Sequence, residues 1–344
     1  MSTKTLAGTV GFKAGERNVF LHLLTGCNLA CRHCYINREQ HGSGMLSRFE
    51  MEEWLTLFAS PGQETNIVFL GGEPTLHPDL PHGIRQARRL GYGSVTVDTN
   101  GFLFHDFLDR VSPDDLDFLS FSLDGPSPEI NDPIRGQGVF ATCSANLRRA
   151  VAAGFRVSLI YTVSRLNLDH LMKMAPLLVE WGVERFFIQV IGIRGQPARS
   201  EATAPLGWQV SREEWQAVVP EAAGRAARAG LTVVYPKVFL EPDESFACAG
   251  RVAENYFIFP NGRVYQCPLC EDFPLHGYRI ETGKLVENPG LTEKKLFGLE
   301  IPEGCVMNKL LQPDNLSYDS AGRLLHRVGC CLLKQEVKRV RSEE

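Results

Sequence analysis

The chain has 344 residues, 44% of them hydrophobic and 22% charged, with a formal net charge of −4. This is the balance of a globular protein of about two domains, and it excludes the basic field of a nucleic-acid-binding protein. No apolar run nears the roughly 18 residues that span a bilayer, and residues 1–15 lack the apolar centre of a signal peptide, so a cytoplasmic protein with no membrane partner is expected.

After a lead-in over residues 1–17, short apolar runs alternate with helical patterns. Strands are expected at Val19–Leu24, Ile67–Leu70, Ser94–Asp98, Phe118–Leu123, Arg156–Val163, Arg185–Ile191 and Leu231–Tyr235, all rich in Val, Ile and Phe and too short for helices. Between them, Ser47 and Glu50 form a capping box that opens a helix. A second helix starts at Pro78 and stops at Gly91, and a third runs from about Val139 to Ala153. A fourth follows Asn167 and is expected to kink at Pro176. A fifth opens on the capping box Ser211 and Glu214. Repeated β-then-α units imply an α/β fold with a parallel sheet and right-handed crossovers. About six units are too few for an eight-unit barrel, so an open (β/α)6 partial barrel is expected over residues 18–238. The loop Gly192–Trp208 follows a strand on the edge where such sheets place their sites. Residues 239–335 differ in composition, with short strands, frequent Gly and Pro, and six of the ten cysteines. Residues 336–344 read as a charged tail with frayed last residues.

Ten cysteines in such a protein point to metal ligation or redox chemistry rather than to a disulfide framework. Cys27-Asn-Leu-Ala-Cys31-Arg-His-Cys34 puts three thiolates on one loop after the first strand. Thiolates are soft ligands that suit iron–sulfur clusters and zinc. Three ligands leave one iron of a four-iron cluster open to another molecule. A structural zinc site wants four ligands, usually as two pairs.

The Cys-x3-Cys-x2-Cys loop resembles the signature of the radical SAM superfamily. The resemblance implies a TIM-like partial barrel with a [4Fe–4S] cluster on Cys27, Cys31 and Cys34. It also implies that S-adenosylmethionine (SAM) chelates the open iron and is cleaved by one electron to a 5′-deoxyadenosyl radical that abstracts a substrate hydrogen. His33 stands where relatives carry an aromatic residue near the adenine, and Tyr35 follows the third cysteine. Gly71-Gly72-Glu73-Pro74, one strand later, is similar to the family's GGEP motif, which contacts the SAM amino group. Its two glycines permit close backbone approach to a ligand, and Glu73 accepts hydrogen bonds. Asn100, Ser122 and Asp124 end the third and fourth strands, where relatives contact ribose or substrate, although Asn100 and Asp124 also suit turns. Arg135 resembles an arginine that faces SAM or substrate, and Ile191 ends the sixth strand, where relatives pack apolar residues on adenine. An external electron donor such as a flavodoxin or ferredoxin is implied.

In the last third, Pro260-Asn261-Gly262 between two short strands is a hairpin signal, which makes Cys248 and Cys267 neighbours, with Cys270 at x2 spacing. This resembles the opening of a SPASM or twitch extension and implies an α+β extension with one auxiliary [4Fe–4S] cluster. Cys248, Cys267 and Cys270 are its first expected ligands, with Cys330 or Cys331 as the fourth and Cys305 in reserve. Zinc is the competing reading. Cys143 reads as a buried apolar residue, and His22 as packing. No general acid or base is assigned.

The resemblance implies an enzyme that matures a peptide, a protein or a peptide-derived cofactor. A dehydrogenase or mutase acting on a small molecule is the alternative, and an iron–sulfur carrier the reading of another class. The short lead-in suggests that a peptide substrate docks at the barrel mouth, where Arg194 and Arg199 are expected to contribute, or uses a separate recognition protein.

Overall fold

The computed structural model describes residues 8–10, 15–60, 62–200, 207–244, 246–272 and 275–339. Seven parallel strands lie side by side in sequence order: β2 (Arg17–His22), β3 (Thr65–Leu70), β4 (Ser94–Thr99), β5 (Phe118–Ser122), β6 (Val157–Val163), β7 (Arg185–Val190) and β8 (Thr232–Pro236). Six crossovers link them, so the partial barrel has the expected number of β/α units. The expected strands lie within about two residues of these bounds.

Strand alternation explains the layering. In β3 and β4 every second residue is buried and the others are half-buried. Val95 and Val97 pack outward under the helices at 0% exposure, as a strand's two faces require. Ser94, Thr96 and Asp98 sit on the inner face. Eight-stranded barrels fill this space with branched apolar side chains; here the polar inner rows surround a cavity instead.

Both capping boxes form: Ser47 with Glu50 opens the helix Arg48–Phe58, and Ser211 with Glu214 opens Arg212–Arg228. Three details differ from expectation. The segment after Asn167 begins as a 3₁₀ helix, Leu168–Lys173, and continues as Met174–Glu180. Pro176 therefore lies in the first turn of the α-helical part, where its missing N–H costs nothing, so it introduces no kink. The loop after β7 contains a short helix, Gln196–Ser200, while residues 201–206 lie outside the described residues.

The division at residue 238 marks a change of composition and not a break in the sheet. Two further strands, β9 (Phe239–Leu240) and β14 (Arg327–Val328), pair with each other in a separate two-stranded sheet. β10 (Glu254–Ile258) runs parallel to β2, with Glu254 opposite Arg17 and Ile258 opposite Leu21. Arg17 Nε lies 2.6 Å from Glu254 Oε2, and Phe20 stacks on Phe257 at 4.4 Å. β11 (Arg263–Tyr265) forms the expected hairpin with β10, and β12 (Tyr278–Glu281) and β13 (Lys284–Glu287) continue the sheet. At the other edge β15 (Lys334–Val337) pairs antiparallel with β8, and β1 (Gly8–Val10) pairs with β15. The expected tail boundary at 335/336 therefore falls inside a strand, since Glu336 faces Val234. This last strand clasps the barrel at one edge while the hairpin extends it at the other.

Candidate active site and cysteine pockets

The inner face of the barrel encloses a cavity of about 550 Å³, within the size range of ligand pockets. Cys27, Cys31 and Cys34 line it, and so do His33, Tyr35, Gly71, Gly72, Glu73, Asn100, Ser122, Arg135 and Ile191. Residues far apart in sequence thus meet at the C-terminal ends of the parallel strands, where barrel enzymes build their sites.

The cysteine loop is held from three sides. The Gly-Gly-Glu-Pro turn packs directly beneath it: Gly72 N–H donates to the Leu24 carbonyl (2.7 Å) and Glu73 N–H to that of Gly26 (3.0 Å). A Cβ on Gly72 would lie 2.1 Å from the Gly26 carbonyl oxygen, so only glycine fits. The close approach expected of this glycine is therefore made to the backbone just before Cys27. On a second side, Gln196 N–H donates to the Cys34 carbonyl (2.8 Å). Gly195, at φ +61°, would place a Cβ 2.4 Å from the same oxygen. On the third side, Arg32 N–H donates to the Ile134 carbonyl (2.9 Å). Burial pushes the Cys27 thiol up to about 12 and raises those of Cys31 and Cys34.

Glu73 is 1% exposed. Its Oε1 accepts from the Thr75 amide (3.1 Å) and from the hydroxyls of Thr75 (2.6 Å) and Thr99 (2.7 Å), while Oε2 accepts from Asn100 N–H (2.7 Å). Burial raises its carboxyl, and these donors act against the shift. Oε2 keeps capacity for one further donor. Asn100 is a turn residue and a site residue at once. Its Oδ1 accepts from Phe102 N–H (2.9 Å), while Nδ2 reaches Asn28 Oδ1 at 3.0 Å and the Cys27 sulfur at 3.6 Å. Pro74 opens the 3₁₀ turn that carries Glu73 and is buried behind the cavity wall.

Asp124 stands behind the wall at 0% exposure. Its Oδ2 lies 2.6 Å from Arg135 Nε and 3.1 Å from His33 Nε2, and its Oδ1 accepts from Thr162 N–H (2.7 Å). Burial alone would raise this carboxyl, but Arg135 and His33 beside it hold it well below the usual range. The same pairing raises Arg135 against its own burial. Asp124 thus fixes Arg135 and His33, which face the cavity. Among the described residues, the buried atoms Asn28 Nδ2 and His33 Nδ1 beside the loop have no hydrogen-bond partner.

His22 is 0% exposed, and burial drives it down to about 3, so it is neutral. Its Nδ1–H donates to the Ile258 carbonyl (2.9 Å), which leaves Nε2 to accept from the Tyr35 hydroxyl (2.7 Å). Its ring stacks on Phe259 at 3.9 Å, and Phe259 stacks on His41 at 3.6 Å. The packing role expected of His22 is thus a joint between barrel and extension. Arg194 belongs to the same joint: it pairs with buried Glu271 and lies over the Tyr35 ring at 4.6 Å. Arg199 pairs with Glu39 on the surface. Arg194 is therefore part of the cavity wall, engaged internally, and does not present a free docking charge.

A smaller pocket in the extension is lined by Cys248, Cys267, Cys305 and Cys330. Three of the expected ligands, Cys248, Cys267 and Cys330, are thus brought together with the reserve Cys305. Cys270 lies outside the lining, buried among Phe257, Phe259 and Tyr265, and its thiol bonds to the Cys267 thiol and to Glu293. Cys331 lines the large cavity, while its thiol hydrogen-bonds to that of Cys330. Adjacent residues 330 and 331 thus line different chambers at the point where the two meet. Cys143 is buried at 0% exposure beside Phe121 and Gly101.

The donor sets suit clusters. Soft thiols gather in both chambers: Cys27, Cys31 and Cys34 on one loop of the large cavity, and Cys248, Cys267, Cys305 and Cys330 in the lining of the smaller pocket. Among the described residues no three His, Cys, Asp or Glu side chains converge as the ligands of a single ion do, whereas a cluster several atoms across reaches thiolates set apart around a wall. No helix of the described residues is long and apolar enough to cross a membrane.

Several of these contacts were not foreseen. The inward alternation of Ser94, Thr96 and Asp98 carried a signal for Asp98 as a cavity residue. No local signal marked Glu271 or Lys334, which reach the cavity from the distant extension.

Comparison with known proteins agrees with this geometry. Residues 21–178 match the family model of the Radical SAM superfamily. The protein is 28% identical over 252 residues to the PqqA peptide cyclase of Ruegeria pomeroyi, covering 72% of this chain and 66% of that one. It is 29% identical over 170 residues to a probable GTP 3′,8-cyclase of Saccharolobus solfataricus, covering 48% and 54%. It thus spans between about half and two thirds of these relatives. Among solved structures, Streptococcus suis SuiB bound to its precursor peptide SuiA superposes with a TM-score of 0.67 at 12% identity, over 91% of this chain and 76% of that one. Native anSMEcpe with bound AdoMet and Kp18Cys peptide superposes with a TM-score of 0.58 at 14% identity, over 83% and 81%. The cysteine loop, the Gly-Gly-Glu-Pro turn beneath it and the first strands of the partial barrel all lie within residues 21–178, the part of the chain that matches the Radical SAM superfamily.

Proposed function

We propose that this protein is a radical SAM enzyme that modifies a peptide or protein substrate inside the barrel. The observation that carries the reading is the meeting of Cys27, Cys31 and Cys34 with the Glu73 turn in one cavity. Bound there, a [4Fe–4S] cluster with SAM on its open iron supplies a 5′-deoxyadenosyl radical that takes a hydrogen atom from the substrate. The protein's own residues orient and shield this chemistry. Cys27, Cys31 and Cys34 hold the cluster, and Glu73, through Oε2, receives the SAM amino group. Asn100 and Ser122 face the nucleoside, His33 and Ile191 flank it, and Arg135 is presented by Asp124. The peptide assignment is supported by the PqqA peptide cyclase relative and the fold shared with SuiB. A flavodoxin- or ferredoxin-type donor supplies the electron, and the substrate docks at the cavity mouth, directly or through a separate recognition protein. The test is incubation of anaerobically reconstituted protein, SAM and dithionite with peptides encoded beside its gene. A peptide of altered mass, formed in step with 5′-deoxyadenosine, is expected; 5′-deoxyadenosine with every peptide unchanged would point to the small-molecule alternative.

The extension is read as a SPASM/twitch-like unit over residues 239–335 whose auxiliary cluster rests on Cys248, Cys267, Cys305 and Cys330. Changing Cys248 or Cys305 to Ala is expected to remove about one cluster's worth of iron, and Cys331→Ala to leave iron unchanged. Iron and zinc analysis of the purified variants checks this. Zinc in place of the missing iron would favour the zinc reading.

A further inference from the structure

Lys334 comes from the closing strand β15, far in sequence from the other cavity residues. It lies level with Pro236 of β8. Pro236 and Gln189 both lie two residues beyond the Phe187–Val234 pair, and Gln189 is in register with Thr162. Lys334, Gln189 and Thr162 all line the large cavity. Lys334 is half-buried, and its Nζ stands 5.6 Å from the centre of the Phe187 ring. The ionisable groups that act on it are Asp98 and the Cys331 thiol. Neither makes an ion pair with it among the described residues, and Asp98 is itself engaged by the hydroxyl of Ser120, which accepts from Ser158 at 2.9 Å. The other cations of the cavity wall are matched: Arg135 by Asp124 and Arg194 by Glu271, while Arg185 has Glu336 and Glu184 close by.

An ammonium withdrawn from bulk water without a paired anion is costly to keep charged, and here burial does push the Lys334 amine down. An incoming anion relieves that cost. A carboxylate suits the place, because Gln189, level with Lys334 on the same wall of the cavity and two strands from it, offers its amide N–H₂ as a further donor.

We propose that Lys334, with Gln189, forms an anion seat inside the barrel that holds a carboxylate of the substrate. This rests on the reading of the cavity as the substrate chamber. The carboxylate is an acidic side chain or a peptide's own C-terminus, two sources of one chemistry. Asp98 on the opposite wall competes with it for Lys334.

The test is ligand-observed NMR on the reconstituted protein with three probes. N-acetyl-L-glutamic acid α-amide carries only a γ-carboxylate, N-acetyl-L-glutamine only an α-carboxylate, and N-acetyl-L-glutamine amide neither. At least one of the acids is expected to bind about tenfold more tightly than the neutral amide, as for hydrogen bonds to a charged group, and the preferred acid names the source. Lys334→Met should abolish the preference, Lys334→Arg restore it, and Asp98→Asn strengthen it. Equal binding of acids and amide, an unchanged preference in Lys334→Met, or a weaker one in Asp98→Asn would overturn the proposal. So would weakened SAM binding in Lys334→Met, which would assign the lysine to the SAM carboxylate. The probes need no turnover, so a failure of SAM cleavage would count against the radical reading and leave the anion seat to be judged by its own result.

Discussion

Replacing any one of Cys27, Cys31 and Cys34 with Ala is expected to bring SAM cleavage below detection and to remove about one cluster's worth of iron. A four-iron cluster with one iron reserved for a ligand has three protein thiolates and none to spare. The loop cannot recruit a substitute easily. Cys143 is enclosed at 0% exposure in the helix behind Gly101, Cys248, Cys267, Cys305 and Cys330 line the separate pocket of the extension, and Cys331, which does line the large cavity, comes from the distant C-terminal segment. The loss should exceed that from Glu73→Gln, which retains an acceptor oxygen toward the SAM amino group. Iron analysis and 5′-deoxyadenosine formation on the three single variants check this.

The second large effect is on stability. Asp124→Ala leaves Arg135 and His33 facing each other in a buried site with no carboxylate between them. Breaking one side of a buried pair costs about 3–5 kcal/mol, and the Thr162 N–H loses its acceptor as well. Because Asp124 is held below its ordinary value, its contribution is complete above the unfolded-state pKa of about 3.9. It fades as pH falls through that value toward the lower folded one. Wild type should therefore lose stability below about pH 4, and Asp124→Ala should lack that component while being weaker at pH 7. Denaturant unfolding at the two pH values measures both. An equal loss at both would mean that the carboxylate is not the stabilising form.

Much of this was legible in the sequence because local patterns carried it. The seven strands announced themselves through short Val- and Ile-rich runs, and the capping residues Ser47 and Ser211 marked two helix starts. The triplet Cys27, Cys31 and Cys34 needed only its spacing, and Asn261-Gly262 announced the hairpin. What was not legible depends on pairing between distant segments. Nothing near Lys334 shows that it enters a strand beside Pro236, so the residues from 336 onward read as a charged tail. Cys330 and Cys331 are adjacent in sequence, and only the fold places one in the lining of the extension's pocket and the other in that of the large cavity. Gly72 was legible as a site for close approach, but its partner, the Gly26 carbonyl, belongs to a loop that precedes it by a whole β/α unit.

The measurement that bears most directly on the whole account is the yield of 5′-deoxyadenosine from anaerobically reconstituted protein given SAM and dithionite. Formation of 5′-deoxyadenosine that depends on dithionite and vanishes in the Cys27→Ala, Cys31→Ala, Cys34→Ala triple variant is the predicted result. Absence of the product from iron-replete wild type, or its persistence in the triple variant, would contradict the account.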